Sequence, residues 1–168
     1  MRKEDVHIGY LSYTPRTIIE RAFALINEPY GWGGMYGEQD CSRYIQEVFA
    51  TVGIHLPRNS SKQAQVGKLI AEFNDETKKE EIEETIIEKA VGGVSLLYMR
   101  DHIMIYLGST DNKAYAIHDT WGYRQNTWRG DIVRVIDRVA VTDLYLGKGS
   151  QKGSYLKQIR SVRIIASE

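Results

Sequence analysis

Helical patterning fills the first part of this 168-residue chain and strand patterning the second, which predicts an α+β domain with an antiparallel sheet. Three observations carry that expectation. Apolar residues recur at helical spacing up to about residue 90. From Val94 the period falls to two and β-branched and aromatic residues rise. The turn-rich run Gly108-Ser109-Thr110-Asp111-Asn112 then separates two alternating segments, as in a hairpin. The length suits one domain with a full hydrophobic core.

Thr14-Pro15 opens the first helix, with proline where a missing N–H costs nothing. Ile18, Ile19, Ala22, Phe23, Leu25 and Ile26 give it an apolar face before Asn27-Glu28-Pro29 ends it. Tyr30 to Gly37 is a glycine-aromatic loop, readable as a connector with buried rings or as one wall of a cleft. Asp40 caps a second helix whose stripe is Cys41, Tyr44, Ile45, Val48, Phe49 and Val52, and Gly53 closes it. Leu56 to Ser61 is a turn into a short helix capped by Asn59 or Ser60. The charged stretch 74–90 reads as a solvated helix or excursion. Strands follow over 96–99, 103–107, 113–118, 132–136, 139–141 and 162–165.

Composition narrows the function classes. Lys+Arg and Asp+Glu are equal at 22 each, so no global charge favours nucleic acid or an anionic membrane. No apolar run reaches membrane-spanning length. Met1 to His7 lacks the apolar segment of a signal peptide, so the chain reads as cytoplasmic or as a mature or truncated exported form.

The chemistry centres on Cys41, the single cysteine. It can make no intrachain disulfide and is too little for a thiolate-rich zinc site. It is therefore a buried inert thiol or a nucleophile. At a helix start, free amides and the helix dipole are expected to favour its thiolate. A five-residue loop at 108–112 would set His102 opposite His118 on one sheet face, and a register shift of two would keep them there. If the Cys41 helix covers that face, all three meet. Cys41 then attacks a carbonyl, His102 moves the proton and His118 holds His102 in the useful tautomer. A Cys/His/His zinc centre and simple packing of the histidines are the competing readings. His7 and His55 stay outside the site.

Asp40-Cys41-Ser42, Leu56-Pro57-Arg58-Asn59-Ser60-Ser61-Lys62-Gln63, His102-Ile103-Met104-Ile105-Tyr106-Leu107-Gly108 and Ala116-Ile117-His118 occur in the order of a known family. Together they resemble the NlpC/P60 cysteine peptidase domain over roughly residues 13–145. The stretches Gly9 to Tyr13 and Pro29 to Gly34 resemble the subgroup in which bacterial SH3-like domains precede the peptidase. That resemblance implies a papain-like fold, with residues 13–168 as the peptidase and 1–12 as a linker from an SH3-like partner outside this chain. It implies no cofactor or metal, and cleavage of peptidoglycan stem peptides between γ-D-glutamate and a diamino acid such as meso-diaminopimelate. It gives Cys41, His102 and His118 the roles of nucleophile, base and orienting residue, and brings Trp32, Asp40, Ser42 and Ser60 to the substrate. The cell envelope or the exterior is the implied location, with cytoplasmic muropeptide recycling as the other. Amidase or acyl-transfer chemistry by the same thiol, and a non-catalytic wall-binding module, are the alternative functions.

Overall fold

The computed structural model of the protein describes residues 8–33 and 38–165. Met1 to His7, part of the expected linker, and Gly34 to Gly37 of the glycine-aromatic loop lie outside the described residues. Among the described residues, five helices and six strands follow one another. They are α1 (Pro15–Ala24), α2 (Cys41–Ala50), α3 (Ser60–Gln63), β1 (Lys68–Glu72), α4 (Lys79–Lys89), β2 (Ser95–Met99), β3 (His102–Thr110), β4 (Lys113–Thr127), β5 (Gly130–Asp143), α5 (Tyr155–Gln158) and β6 (Ile159–Ile164). The strands form one sheet in the order β1-β6-β2-β3-β4-β5, and every neighbouring pair is antiparallel. This is the expected α+β class.

The N-terminal helices start where their caps dictate. The Thr14 hydroxyl accepts from the Thr17 N–H and the Asp40 carboxylate from the Arg43 N–H, each satisfying an otherwise unpaired first-turn amide. Gly53, at φ +79°, ends the α2 region in a left-handed turn where the Ile54 N–H reaches the Phe49 carbonyl. The Tyr10 ring lies where a Gly53 side chain would be, and the Leu11 N–H bonds the Thr51 carbonyl, so this stretch is fastened to the domain.

Two apolar layers flank the sheet. Alternation sends Ile103, Ile105, Ile117 and Val139 to one face, against Ile18, Ala22, Tyr44, Ile45, Val48 and Phe49 of α1 and α2. It sends Met104, Tyr106, Ala114 and Ala116 to the other, against Ile82 and Ile86 of α4 and Leu156 of α5. The charged stretch 74–90 holds the expected helix, but with a buried stripe rather than a wholly solvated surface. Ile82 and Ile86, one turn apart, are fully buried and give α4 a structural stripe. β1 and α5 have no counterpart in the sequence-based expectations, and β5 is one strand where two were expected.

The hairpin also differs from expectation. Its loop is two residues, Asp111-Asn112, with both φ values positive at 50° and 55°, as a tight primed turn requires. Thr110, Ser109 and Gly108 pair with Lys113, Ala114 and Tyr115. A bulge at Leu107 then shifts the register, so Tyr106 pairs with Ala116 and Ile105 with Ile117. Continued, this sets Met104 opposite His118, two residues from the expected pairing. The bulge decides the outcome: without it the odd offset would put the two histidines on opposite faces.

Candidate active site

His102 opens β3 beside a two-residue turn, since Met99 pairs directly with His102 across Arg100-Asp101. Its ring Nε2 stands 2.8 Å from His118 Nδ1. His118 is 0% exposed, and its Nε2 lies 2.9 Å from Thr142 Oγ1. Tyr155 of α5 packs on both imidazoles, with centroids 5.9 Å from His102 and 5.8 Å from His118. With these contacts fixed, the nitrogen of His102 left free is Nδ1. A base at Nδ1 needs the proton on Nε2, donated to His118 Nδ1. His118 then carries its own proton on Nε2 and donates it to Thr142. In this sense every member of the line has a donor facing an acceptor, and His102 Nδ1 is left as an acceptor.

Cys41 approaches β3 by another route than expected. By alternation His102 and His118 belong to the Met104 and Tyr106 face, whereas α2 covers the opposite one. The helix start lies at the end of β3, where the Cys41 sulfur accepts from the backbone N–H of Ile103, adjacent in sequence to His102, and from that of Ser42. Cys41 is 7% exposed. Burial pushes its thiol up to about 11, although those two N–H groups pull the other way. The helix-start stabilisation of a thiolate is thus outweighed by desolvation. Burial likewise holds His102 down to about 4, and burial together with the neighbouring His102 holds His118 well below the ordinary histidine range. Burial thus favours the neutral form of both the Cys41 thiol and the His102 imidazole.

The first turn of α2 carries a second polar group. Arg58 bonds both carboxylate oxygens of Asp40, at 2.9 and 2.8 Å, and the hydroxyl oxygen of Ser42 at 2.9 Å. The Ser42 hydroxyl donates to Asp40. Burial would raise the Asp40 carboxyl, but bonds from Arg58, the Arg43 N–H and Ser42 outweigh it and hold it below the usual carboxylate range. Gln63, fully buried, donates to the carbonyls of Ser42 and Pro57, each at 2.8 Å, and ties this turn to α3. Ser60 is the first residue of α3 and Asn59 is its cap. Trp32, 72% exposed, lines a cleft of about 290 Å³ together with Tyr30, His102, Thr120 and Tyr155, apart from the Asp40 cluster. Gly122 belongs to the same wall at a β4 bulge, where a Cβ would meet the Arg134 carbonyl at 2.2 Å. Of the expected site residues, then, His102 joins His118, Asp40 joins Ser42, Trp32 stands by His102, and Ser60 joins neither group.

Sequence reasoning missed Thr142, Tyr155 and Asp119. Asp119 follows His118, faces the α2 side, is 0% exposed, and neither carboxyl oxygen has a hydrogen-bond partner. Burial, then the charges of Asp40 and Asp137, push it up to about 8. Among the described residues no three His, Cys, Asp or Glu side chains are arranged to hold a metal ion. Both ring nitrogens of His118 are already engaged.

Comparison with known proteins agrees with the fold. The NlpC/P60 family matches residues 27–150. The chain belongs to the NlpC/P60 family. It is 40% identical over 58 residues to the bifunctional muramidase/DL-endopeptidase CwlT of Bacillus subtilis, covering 33% of this chain and 18% of that protein. It is 33% identical over 70 residues to the gamma-D-glutamyl-L-lysine dipeptidyl-peptidase of the same organism, covering 40% of this chain and 24% of that one. An NlpC/P60 endopeptidase structure from Photobacterium damselae subsp. piscicida superposes with a TM-score of 0.75 at 22% identity, over 88% of this chain and 38% of that one. The matched part is less than half of each of these relatives. No helix among the described residues is long and apolar enough to cross a membrane.

Proposed function

We propose that the protein is a cysteine endopeptidase that hydrolyses peptidoglycan stem peptides at the γ-D-glutamyl–diamino acid bond. The observation that carries this reading is the hydrogen-bonded line His102–His118–Thr142, ending in a free His102 Nδ1 at the strand start that also bonds the Cys41 thiol. Cys41 Sγ attacks the carbonyl carbon as His102 Nδ1 takes the thiol proton, which suits a neutral pair better than a standing ion pair. The C–S bond forms and the carbonyl oxygen gains charge, with the Cys41 N–H at the α2 start as one donor to it. The C–N bond then breaks as His102 returns the proton to the leaving amine. Water, deprotonated by His102, hydrolyses the thioester and regenerates the thiol.

The γ-D-glutamyl assignment draws on the similarity to the gamma-D-glutamyl-L-lysine dipeptidyl-peptidase and on the Asp40-Cys41-Ser42 run, which resembles the family's motif. Asp40 and Ser42, held by Arg58, contribute to the acyl side, with Ser60 further along it, and Trp32 covers the cleft beside His102. Residues 13–168 form the peptidase, residues 1–12 link it to an SH3-like partner, and the cell envelope or exterior is the working compartment. Mass spectrometry of L-Ala-γ-D-Glu-diaminopimelate after incubation tests the reading. Release of free diaminopimelate by the native protein, and none by Cys41→Ala, is expected. Equal release by both proteins would exclude it.

A further inference from the structure

The cleft beside His102 is unevenly charged. Arg100, Arg124 and Lys152 line it against one carboxylate, Asp101. None of these three cationic groups makes a hydrogen bond or ion pair among the described residues, whereas Arg16, Arg43, Arg58 and Arg160 are each paired with an acidic side chain. Arg100 is fixed in the two-residue turn immediately before His102, and Arg124 lies on β4 just past the Gly122 bulge. Three unpaired cations in one concavity repel one another and attract an anion. A guanidinium with free N–H groups also matches the planar geometry of a carboxylate.

The side of the reaction follows from the proton path. His102 returns its proton to the leaving amine, so the leaving half of the substrate lies on the side of His102. This cleft is lined by His102 and by no residue of α2. We propose that Arg100, Arg124 and Lys152 form a leaving-group subsite that reads a carboxylate on the residue whose amine is released. The proposal rests on the endopeptidase reading and adds its specificity. Two carboxylates have this chemistry: a side-chain carboxylate of the diamino acid, and the C-terminal carboxylate of a trimmed stem peptide.

Four substrates separate them: L-Ala-γ-D-Glu followed by meso-diaminopimelate or L-lysine, each as C-terminal acid and C-terminal amide. A kcat/KM loss of about tenfold is expected for each carboxylate that is read, the worth of one charge-assisted contact. Loss on amidation identifies the C-terminal group; loss on exchange to lysine identifies the side chain. In the R100Q/R124Q/K152Q protein the preference is expected to fall to about one, with circular dichroism unchanged because the three residues are exposed. Equal rates on all four peptides in the native protein, or an unchanged preference in the triple variant, overturns the subsite while leaving the endopeptidase reading intact. Should no peptide be cleaved, that reading fails. Calorimetry of Cys41→Ala with free meso-diaminopimelate then decides the subsite alone: binding weakened about tenfold by the triple substitution supports it, and absence of binding overturns it.

Discussion

His102 Nε2 and His118 Nδ1 stand 2.8 Å apart, and His118 Nε2 reaches Thr142 Oγ1 at 2.9 Å. This line fixes which nitrogen of His102 is free, because each bond needs a donor at one end and an acceptor at the other. Thr142 thereby acts on the reaction through His118 without touching substrate. Thr142→Val removes one hydrogen bond and is expected to lower kcat about fivefold, with KM little changed. Thr142→Ser is expected to restore most of the loss. Equal kcat values for the valine variant and the native protein would remove Thr142 from the site.

Cys41 and His102 are both displaced toward their neutral forms by burial, to about 11 and about 4. Alkylation of native Cys41 by iodoacetamide is therefore expected to be slow at neutral pH and to climb toward pH 11. A rate already at its plateau by pH 8 would contradict this. The acid limb of kcat/KM is expected near pH 4, where His102 takes up its proton, and a limb near 6.5 would contradict burial of the base.

The same burial links stability to pH. The two histidines bind protons more weakly folded than unfolded, so their contribution is complete above about pH 6.5. It is lost as pH falls below that value, for His102 through about 4. Asp119 has the opposite sign. Its folded carboxyl, raised to about 8, holds a proton that the unfolded chain releases above about pH 4, so this contribution is complete below that pH and is lost as pH rises from there through 8. Asp119→Asn is expected to melt higher than the native protein at pH 9, with the gap closing by pH 5. A gap that is constant across this range would show that Asp119 does not titrate in this way.

Gln63 is fully buried and donates to two carbonyls, those of Ser42 and Pro57. Gln63→Ala removes both bonds, leaves the Pro57 carbonyl without its donor and opens a small gap beside α2, at a cost of about 2–3 kcal/mol. The expected result is a melting temperature lower by roughly 5–10 °C. A change below about 2 °C would mean that the first turn of α2 is held by other contacts.

What was legible in the sequence is what local rules govern. Thr14, Asp40 and Asn59 mark helix starts because a cap needs only its own next turn. The strand pair bearing His102 and His118 followed from alternation. Its loop was misread because Gly108 signals a turn as strongly as Asp111-Asn112, and only backbone angles distinguish the residues that turn. The Leu107 bulge is marked in the sequence only by Gly108, at φ +143°, which reads equally as a turn residue, yet it sets which face the histidines share. Arg58 with Asp40, Thr142 with His118, and Tyr155 with both imidazoles are pairings across 18, 24 and at least 37 positions. Only the folded chain brings them together. Burial of Cys41 outweighed its helix-start position for the same reason: desolvation depends on what covers the helix, not on the helix itself.

The central claim is that Cys41 forms the covalent intermediate. Acid-quenching the native protein in the first turnover of excess L-Ala-γ-D-Glu-diaminopimelate, followed by peptide mapping, tests it most directly, because the acyl-enzyme forms before water hydrolyses it. A thioester-linked L-Ala-γ-D-glutamyl adduct on the peptide containing Cys41, absent after hydroxylamine treatment, is expected. Full turnover by Cys41→Ala, or turnover with the adduct on any other residue, would contradict it.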